Sequence, residues 1–171
     1  MNLKIFHLKI VNSTNDFAIR KIKQGEKKGI VISDSQKKGR GRYGNKWMSL
    51  SGNLFMSIFY RLNKNISINQ LTKKNCLLIK KTLSSFTKEK ILIKPPNDLL
   101  IKNKKFCGIL QEIITYSKEN YAIIGIGINI RKNPNIKKYP TTYLLKYNNK
   151  INKMIIFKKI KKYYEKELLC I

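Results

Sequence analysis

Histidine, cysteine, tryptophan, arginine and acidic residues are all scarce in this chain, and each scarcity removes a class of function. His7 is the only histidine, which excludes a multi-histidine metal centre and argues against a Ser-His-Asp triad. Cys76, Cys107 and Cys170 stand far apart with no CxxC pair. Neither a disulfide framework nor a zinc site is indicated, no metal ligands are assigned, and a cytoplasmic location is expected. No run approaches the roughly 18 apolar residues that cross a bilayer, and the N-terminus lacks an apolar signal core, so no membrane role is expected. Acidic residues number 9 against 37 Lys+Arg, giving a formal charge of +28. That charge attracts acidic partners through a salt-sensitive field. The lysines are spread from Lys4 to Lys166, and Asn and Ile are inflated as well. A stripe that would read nucleic acid is therefore missing, and no specific nucleic-acid contact is expected; a non-catalytic basic RNA or DNA binder stays as the reading from another class. A length of 171 residues suits one domain, since a chain of about 150 residues hides roughly 70% of its unfolded surface.

What the chain does have is concentrated. Two of its five arginines, three of its nine glycines and its only tryptophan fall within Gly39-Arg40-Gly41-Arg42-Tyr43-Gly44-Asn45-Lys46-Trp47. Glycines let backbone come close to a ligand, and each guanidinium offers a planar fork that fits carboxylate or phosphate oxygens, which a lysine does not reproduce. A turn-rich surface loop is the bland alternative.

The periodicity predicts a strand over Leu3–Ile10, then a polar cap at Asn12–Asn15 and a helix over Asp16–Gln24, which Ser13 and Thr14 could simply cap. A buried strand follows at Gly29–Ser33, another at Leu54–Leu62, and a helix over Ile68–Phe86 whose lysines form a solvated face. Ile91–Ile93 is a strand that stops in an extended bend at Lys94-Pro95-Pro96-Asn97-Asp98, because two prolines remove ladder donors. Leu99–Lys102, Lys105–Thr115 and Tyr121–Ile130 read as an antiparallel meander. Gly125-Ile126-Gly127-Ile128-Asn129 ends a strand instead of opening a helix, so it is no dinucleotide fingerprint. The tail over Ile151–Leu169 is helical and packs on the core in preference to an anionic membrane.

Ends of neighbouring strands in a meander lie close together. The Gly39–Trp47 loop, the Lys94–Asp98 bend, Lys105–Gly108 and Asn129 could therefore line one cavity. It would hold three cations (Arg40, Arg42, Lys105), the ring of Trp47, the Asp98 carboxylate and the amides of Gln36, Asn97 and Asn129. Such a set suits an anion beside a nucleotide and contains no nucleophile paired with a base.

Gln36–Trp47, Lys94–Asp98, Lys105–Glu112, Gly125–Asn129 and Ser13-Thr14-Asn15 resemble, in order and spacing, the catalytic domain of biotin protein ligases, over residues 5 to 145. The resemblance implies an α+β fold, a mixed and mainly antiparallel sheet with helices packed on it. It implies a monofunctional ligase that uses ATP, with Mg²⁺ on the phosphates, to form biotinyl-5'-AMP. The biotin then passes to a lysine of an acidic biotin carboxyl carrier protein. By the same resemblance Ser13, Thr14 and Gln36 contact biotin, and Gly39 and Arg40 begin a loop that closes over it. Arg42 retains the adenylate, Trp47 stacks on adenine, and Lys105 bridges carboxylate and phosphate. Arg40 offsets anion repulsion with Lys105, Asp98 orients or deprotonates the carrier lysine, Asn129 lies near the nucleotide, and Asn15, Gly41, Asn97 and Gly108 complete the binding residues. Asp98 and Asn97 could equally be turn formers, and Lys105 a hairpin lysine. Pro95 stands where the family usually has Trp, and Asn45 where many members have a third basic residue. One domain over residues 1–171 is expected, with neither the helix-turn-helix nor the small C-terminal β-barrel of some members, as a monomer or weak homodimer. Lipoate or octanoate ligases and transferases of the same fold are the neighbouring alternative.

Overall fold

Strand alternation sends Ile124, Ile126 and Ile128 to one side of a sheet and Gly125 and Gly127 between them to the other. The computed structural model describes residues 2–62 and 66–167. Within them the order is β1 (Ile5–Val11), α1 (Thr14–Lys23), β2 (Lys28–Gln36), β3 (Leu54–Arg61), α2 (Ile68–Ser84), β4 (Ile91–Lys94), β5 (Asp98–Ile101), β6 (Lys104–Tyr116), β7 (Glu119–Ile128) and α3 (Lys153–Glu167). The strands form one seven-stranded sheet in the order β1-β2-β3-β7-β6-β5-β4. Only β1 and β2 run parallel, with α1 as the crossover; the other pairs are antiparallel. The α+β architecture expected from the sequence is the one observed. Residues 168 and 169 of the expected tail helix lie outside the described residues.

On one face, Ile30 and Ile32 of β2, Met56 and Ile58 of β3 and Ile124, Ile126 and Ile128 of β7 pack against α2 and α3. The tail helix contributes Ile156, Phe157, Ile160 and Tyr164 to that core, a helical stripe. Lys153 reaches Asp34 at 2.8 Å, and Glu165 accepts the Leu3 N–H at 2.8 Å. The tail therefore packs on the core. No helix among the described residues is long and apolar enough to cross a membrane. On the other face, Val31, Phe59, Tyr121 and Ile123 meet Ala18 and Ile22 of α1. That helix covers only part of the face, and the remainder is open.

The Lys94–Asp98 segment differs from the expected extended bend. Lys94 pairs with Asp98 across an antiparallel hairpin whose turn is residues 95–97. The prolines sit where no ladder donor is needed. Asn97 ties the turn to β6, donating to the Ile109 carbonyl at 2.9 Å while its own carbonyl accepts Ile109 N–H at 3.0 Å.

After β7 the chain is reversed by Asn53, a fully buried side chain. Its Oδ1 accepts N–H groups of Ile130 and Arg131 at 2.9 Å and Lys132 at 3.2 Å, and its Nδ2 donates to the Lys132 carbonyl at 2.8 Å. Asn53→Ala is expected to cost about 2–4 kcal/mol, because these buried donors lose their acceptor. Urea unfolding of the variant checks this, and a change below 1 kcal/mol would show that water replaces the amide.

Candidate active site

The open part of the α1 face is a cavity of about 810 Å³, within the range of roughly 300–1,000 Å³ usual for small-molecule sites. Its floor follows from the period of two. Gly125 and Gly127 of β7 alternate with core isoleucines, and Gly127 pairs with Gly108 of β6, so three positions on one face carry no side chain. A Cβ on Gly127 would overlap the Trp47 ring, one on Gly108 would stand 2.7 Å from it, and one on Gly125 would overlap the Asn15 amide. Gly125 and Gly127 were not singled out as site residues from the sequence. Their alternation with isoleucine is the signal that marks a floor.

The Gly39–Trp47 loop is a short hairpin that lies over this floor as a flap. Trp47 N–H donates to Gly39 O at 2.9 Å and Gly41 N–H to Asn45 O at 2.7 Å. Asn45 N–H closes the tip onto Arg42 O at 3.1 Å, with φ of 53° at Tyr43 and 73° at Gly44. Two left-handed residues make the primed turn that suits a tight hairpin. Gly39 is buried at the flap's foot, where a Cβ would meet Trp47 O at 2.5 Å, and it does not line the cavity. Trp47 lies flat between Gly108 and Gly127, and its buried Nε1–H has no acceptor among the described residues.

The cations have unequal surroundings. Lys105 Nζ sits 2.8 Å from Asp98 Oδ1, 5.5 Å from the Trp47 ring centre and 5.1 Å from that of Tyr139. Its backbone is pinned by the chain after β7, through Lys105 N–H to Pro140 O at 3.0 Å and Thr142 N–H to Lys105 O at 2.9 Å. That placement fits a held group better than a solvated hairpin lysine. Arg42 folds back on Tyr43, donating to its hydroxyl at 2.9 Å, and no carboxylate pairs with it among the described residues. Arg40, in contrast, is paired twice. It binds Glu112 through two bonds of 3.0 and 2.8 Å and Asp16 at 2.7 Å. Burial alone would lower its pKa, but the bonds to Glu112 and the charge of Asp16 outweigh that and hold it above the ordinary value.

Beneath the flap is a polar cluster. Ser13 caps α1 and also lines the cavity. Gln36 Oε1 accepts Thr14 N–H at 2.8 Å, and its Nε2 donates to Ser49 Oγ at 3.1 Å. Asn15 donates to Glu112 at 2.6 Å, and Ser57 Oγ lies 2.7 Å from Thr14 Oγ1 and 2.5 Å from Asn15 Oδ1. Sequence reasoning passed over Ser57, Glu112, Asp16 and Tyr139. The first two carried a signal, a polar residue at an inward position of an apolar strand; Tyr139 carried none.

Asn129 is not where it was expected. It is buried outside the cavity lining, donating to Thr142 O at 3.2 Å and accepting from Asn53 at 3.4 Å. The strand ends at Ile128, so the next side chain turns to the segment folding back beneath. Burial pushes the Cys76 thiol up to about 11 and Cys107 well above its usual value, so neither supplies a thiolate near neutral pH.

Lys105, Arg42, Trp47, Asp98 and the Ser13–Asn15 turn thus converge on one cavity. The sequence model of the biotin/lipoate A/B protein ligase family matches residues 7–129. The chain belongs to that family. It is 32% identical over 126 residues to the bifunctional ligase/repressor BirA of Escherichia coli, covering 72% of this chain and 39% of that protein. It therefore spans about two fifths of that relative's length. The biotin protein ligase of Aquifex aeolicus, solved with biotin and ATP, superposes with a TM-score of 0.80 at 29% identity, over 96% of this chain and 70% of that one. The Leishmania major biotin protein ligase, solved with biotinyl-5-AMP, gives 0.80 at 25% identity, over 94% of this chain and 72% of that one.

Proposed function

We propose that this domain joins biotin to AMP at the expense of ATP and passes the biotinyl group to a lysine of an acidic biotin carrier protein. The observation that carries the reading is the convergence of Lys105, Arg42 and the Trp47 ring over a glycine floor, in a chain of this family. A carboxylate oxygen of biotin attacks the α-phosphorus as the bond to pyrophosphate breaks. The carrier amine then attacks the acyl carbon, and AMP leaves. Lys105, between Asp98 and two rings, stands where it would meet both carboxylate and phosphate; Arg42, lacking a carboxylate partner, can swing from Tyr43 onto the adenylate. Thr14, Gln36 and Asn15 offer neutral donors and acceptors for the biotin ring system. Asp98 can orient the incoming amine and accept the proton it loses on forming the amide. Mg²⁺ brought in on ATP's phosphates would supply charge neutralisation there. A net charge of +28 would draw an acidic carrier through a field that salt weakens.

Pyrophosphate release by the purified chain, with ATP and either biotin or lipoate, tests the proposal: dependence on biotin supports it, and dependence on lipoate alone would overturn it. Arg42→Gly is expected to keep most adenylate formation while the intermediate escapes. Streptavidin blots of a carrier mixed with an unrelated protein would then show bystander labelling, and carrier-only labelling would contradict the role.

A further inference from the structure

Arg40 and Arg42 are two residues apart, yet only one is available to an incoming anion. Arg40 already faces two carboxylates, and a phosphate brought to it would add a third negative group beside Asp16 and Glu112. The geometry of Glu112 is that of an anchor. Its Oε2 takes Arg40 Nη2 at 2.8 Å and Asn15 Nδ2 at 2.6 Å, while Oε1 takes Arg40 Nη1 at 3.0 Å. Asn15 continues to Ser57, Thr14 and Gln36, and Gln36 ends on Ser49, just past the flap. Both feet of the hairpin are therefore tied into one hydrogen-bonded chain, one foot through Arg40 and the other through Ser49.

We propose that Arg40 is a positioning residue, clasping the flap to the sheet through Glu112 and Asp16, so that Trp47 seats on Gly108 and Gly127 and Arg42 and Lys105 are left to meet the anion. Only the kinetic arm of the test rests on the biotin-activating reading; the flap arm needs no ligand. A fork that makes two parallel bonds to a carboxylate is not replaced by an ammonium, so Arg40→Lys should behave as a broken clasp although it keeps the charge.

Without ligand, Glu112→Gln and Arg40→Lys are each expected to speed hydrogen exchange at the Gly41 and Trp47 amides, which close the hairpin, by roughly tenfold. Trp47 emission should shift to the red as the indole leaves its seat. In pyrophosphate-release assays both variants should raise the KM for biotin more than they lower kcat, and the double variant should be no worse than the more severe single one. Asp16→Asn, at a half-buried position in the first turn of α1, should give a smaller change in the same direction, and it serves if Glu112→Gln does not fold. Unchanged flap exchange in a folded Glu112→Gln overturns the clasp whatever the substrate. So does a kcat that collapses in Arg40→Ala, survives in Arg40→Lys and is normal in Glu112→Gln, because that pattern assigns Arg40 to the phosphate. If the wild-type chain releases no biotin-dependent pyrophosphate while the flap arm behaves as expected, the functional reading fails and the clasp stands.

Discussion

Lys105→Ala is expected to lower biotin-dependent pyrophosphate release by roughly a hundred- to a thousand-fold, the usual loss when one preorganised charge is removed from a developing oxyanion. Lys105 is more deeply buried at the cavity than Arg40, its side chain 16% exposed against 38%, with Asp98 at 2.8 Å. Its position is set at both ends, by the pairing of its backbone with Pro140 and Thr142 and by the rings of Trp47 and Tyr139 around its ammonium. Losing it also leaves Asp98 without its partner beside the anion site, which adds repulsion to the missing attraction. Lys105→Met keeps the stem's packing while removing charge, and it should fail as severely as alanine. Thermal unfolding must remain cooperative for the comparison to hold. Release within about threefold of wild type would return Lys105 to an ordinary hairpin residue.

Gly127→Ala is the second large effect. A single added methyl would overlap the Trp47 ring at Cε2 and Cζ2, closer than any carbon pair tolerates, so the indole must leave the floor. Overpacking of this kind costs about 1–3 kcal/mol. The functional cost is greater, because Trp47 N–H is half of the hairpin's base and its displacement lifts the flap. Misplacing reacting groups by about an ångström can cost a hundredfold in rate, and that loss is expected here. Trp47 is the only tryptophan, so red-shifted emission in the variant reports the displacement directly. Unaltered emission together with near-normal release would show that the floor has room the static structure does not reveal.

The sequence carried most of the fold because each strand and helix announces itself over a few residues. Run length and the turn residues between them mark β6 and β7, and the Ser67-to-Gln70 spacing ahead of α2 is a complete capping box in the structure. The site's chemistry was legible for the same reason: Gly39–Trp47 departs from the chain's own lysine-rich composition. What stayed hidden involved partners far apart in sequence. The sequence offers Arg40 as a cation that offsets anion repulsion, and nothing near it in the chain discloses Glu112, 72 residues away. Asn129 was read as a nucleotide amide because nothing near it discloses Asn53, 76 residues away.

The sequence by itself determined the element types, the glycines of the flap and the supply of cations and rings, since these depend on local backbone preference and a two- or 3.6-residue period. Only the tertiary structure decided that β7 inserts between β3 and β6, bringing Gly125 and Gly127 beneath Trp47. It also decided which of two neighbouring arginines is neutralised. Strand register makes both decisions, because a slip of one residue sends every side chain to the opposite face, and register is set by the packing of the whole sheet.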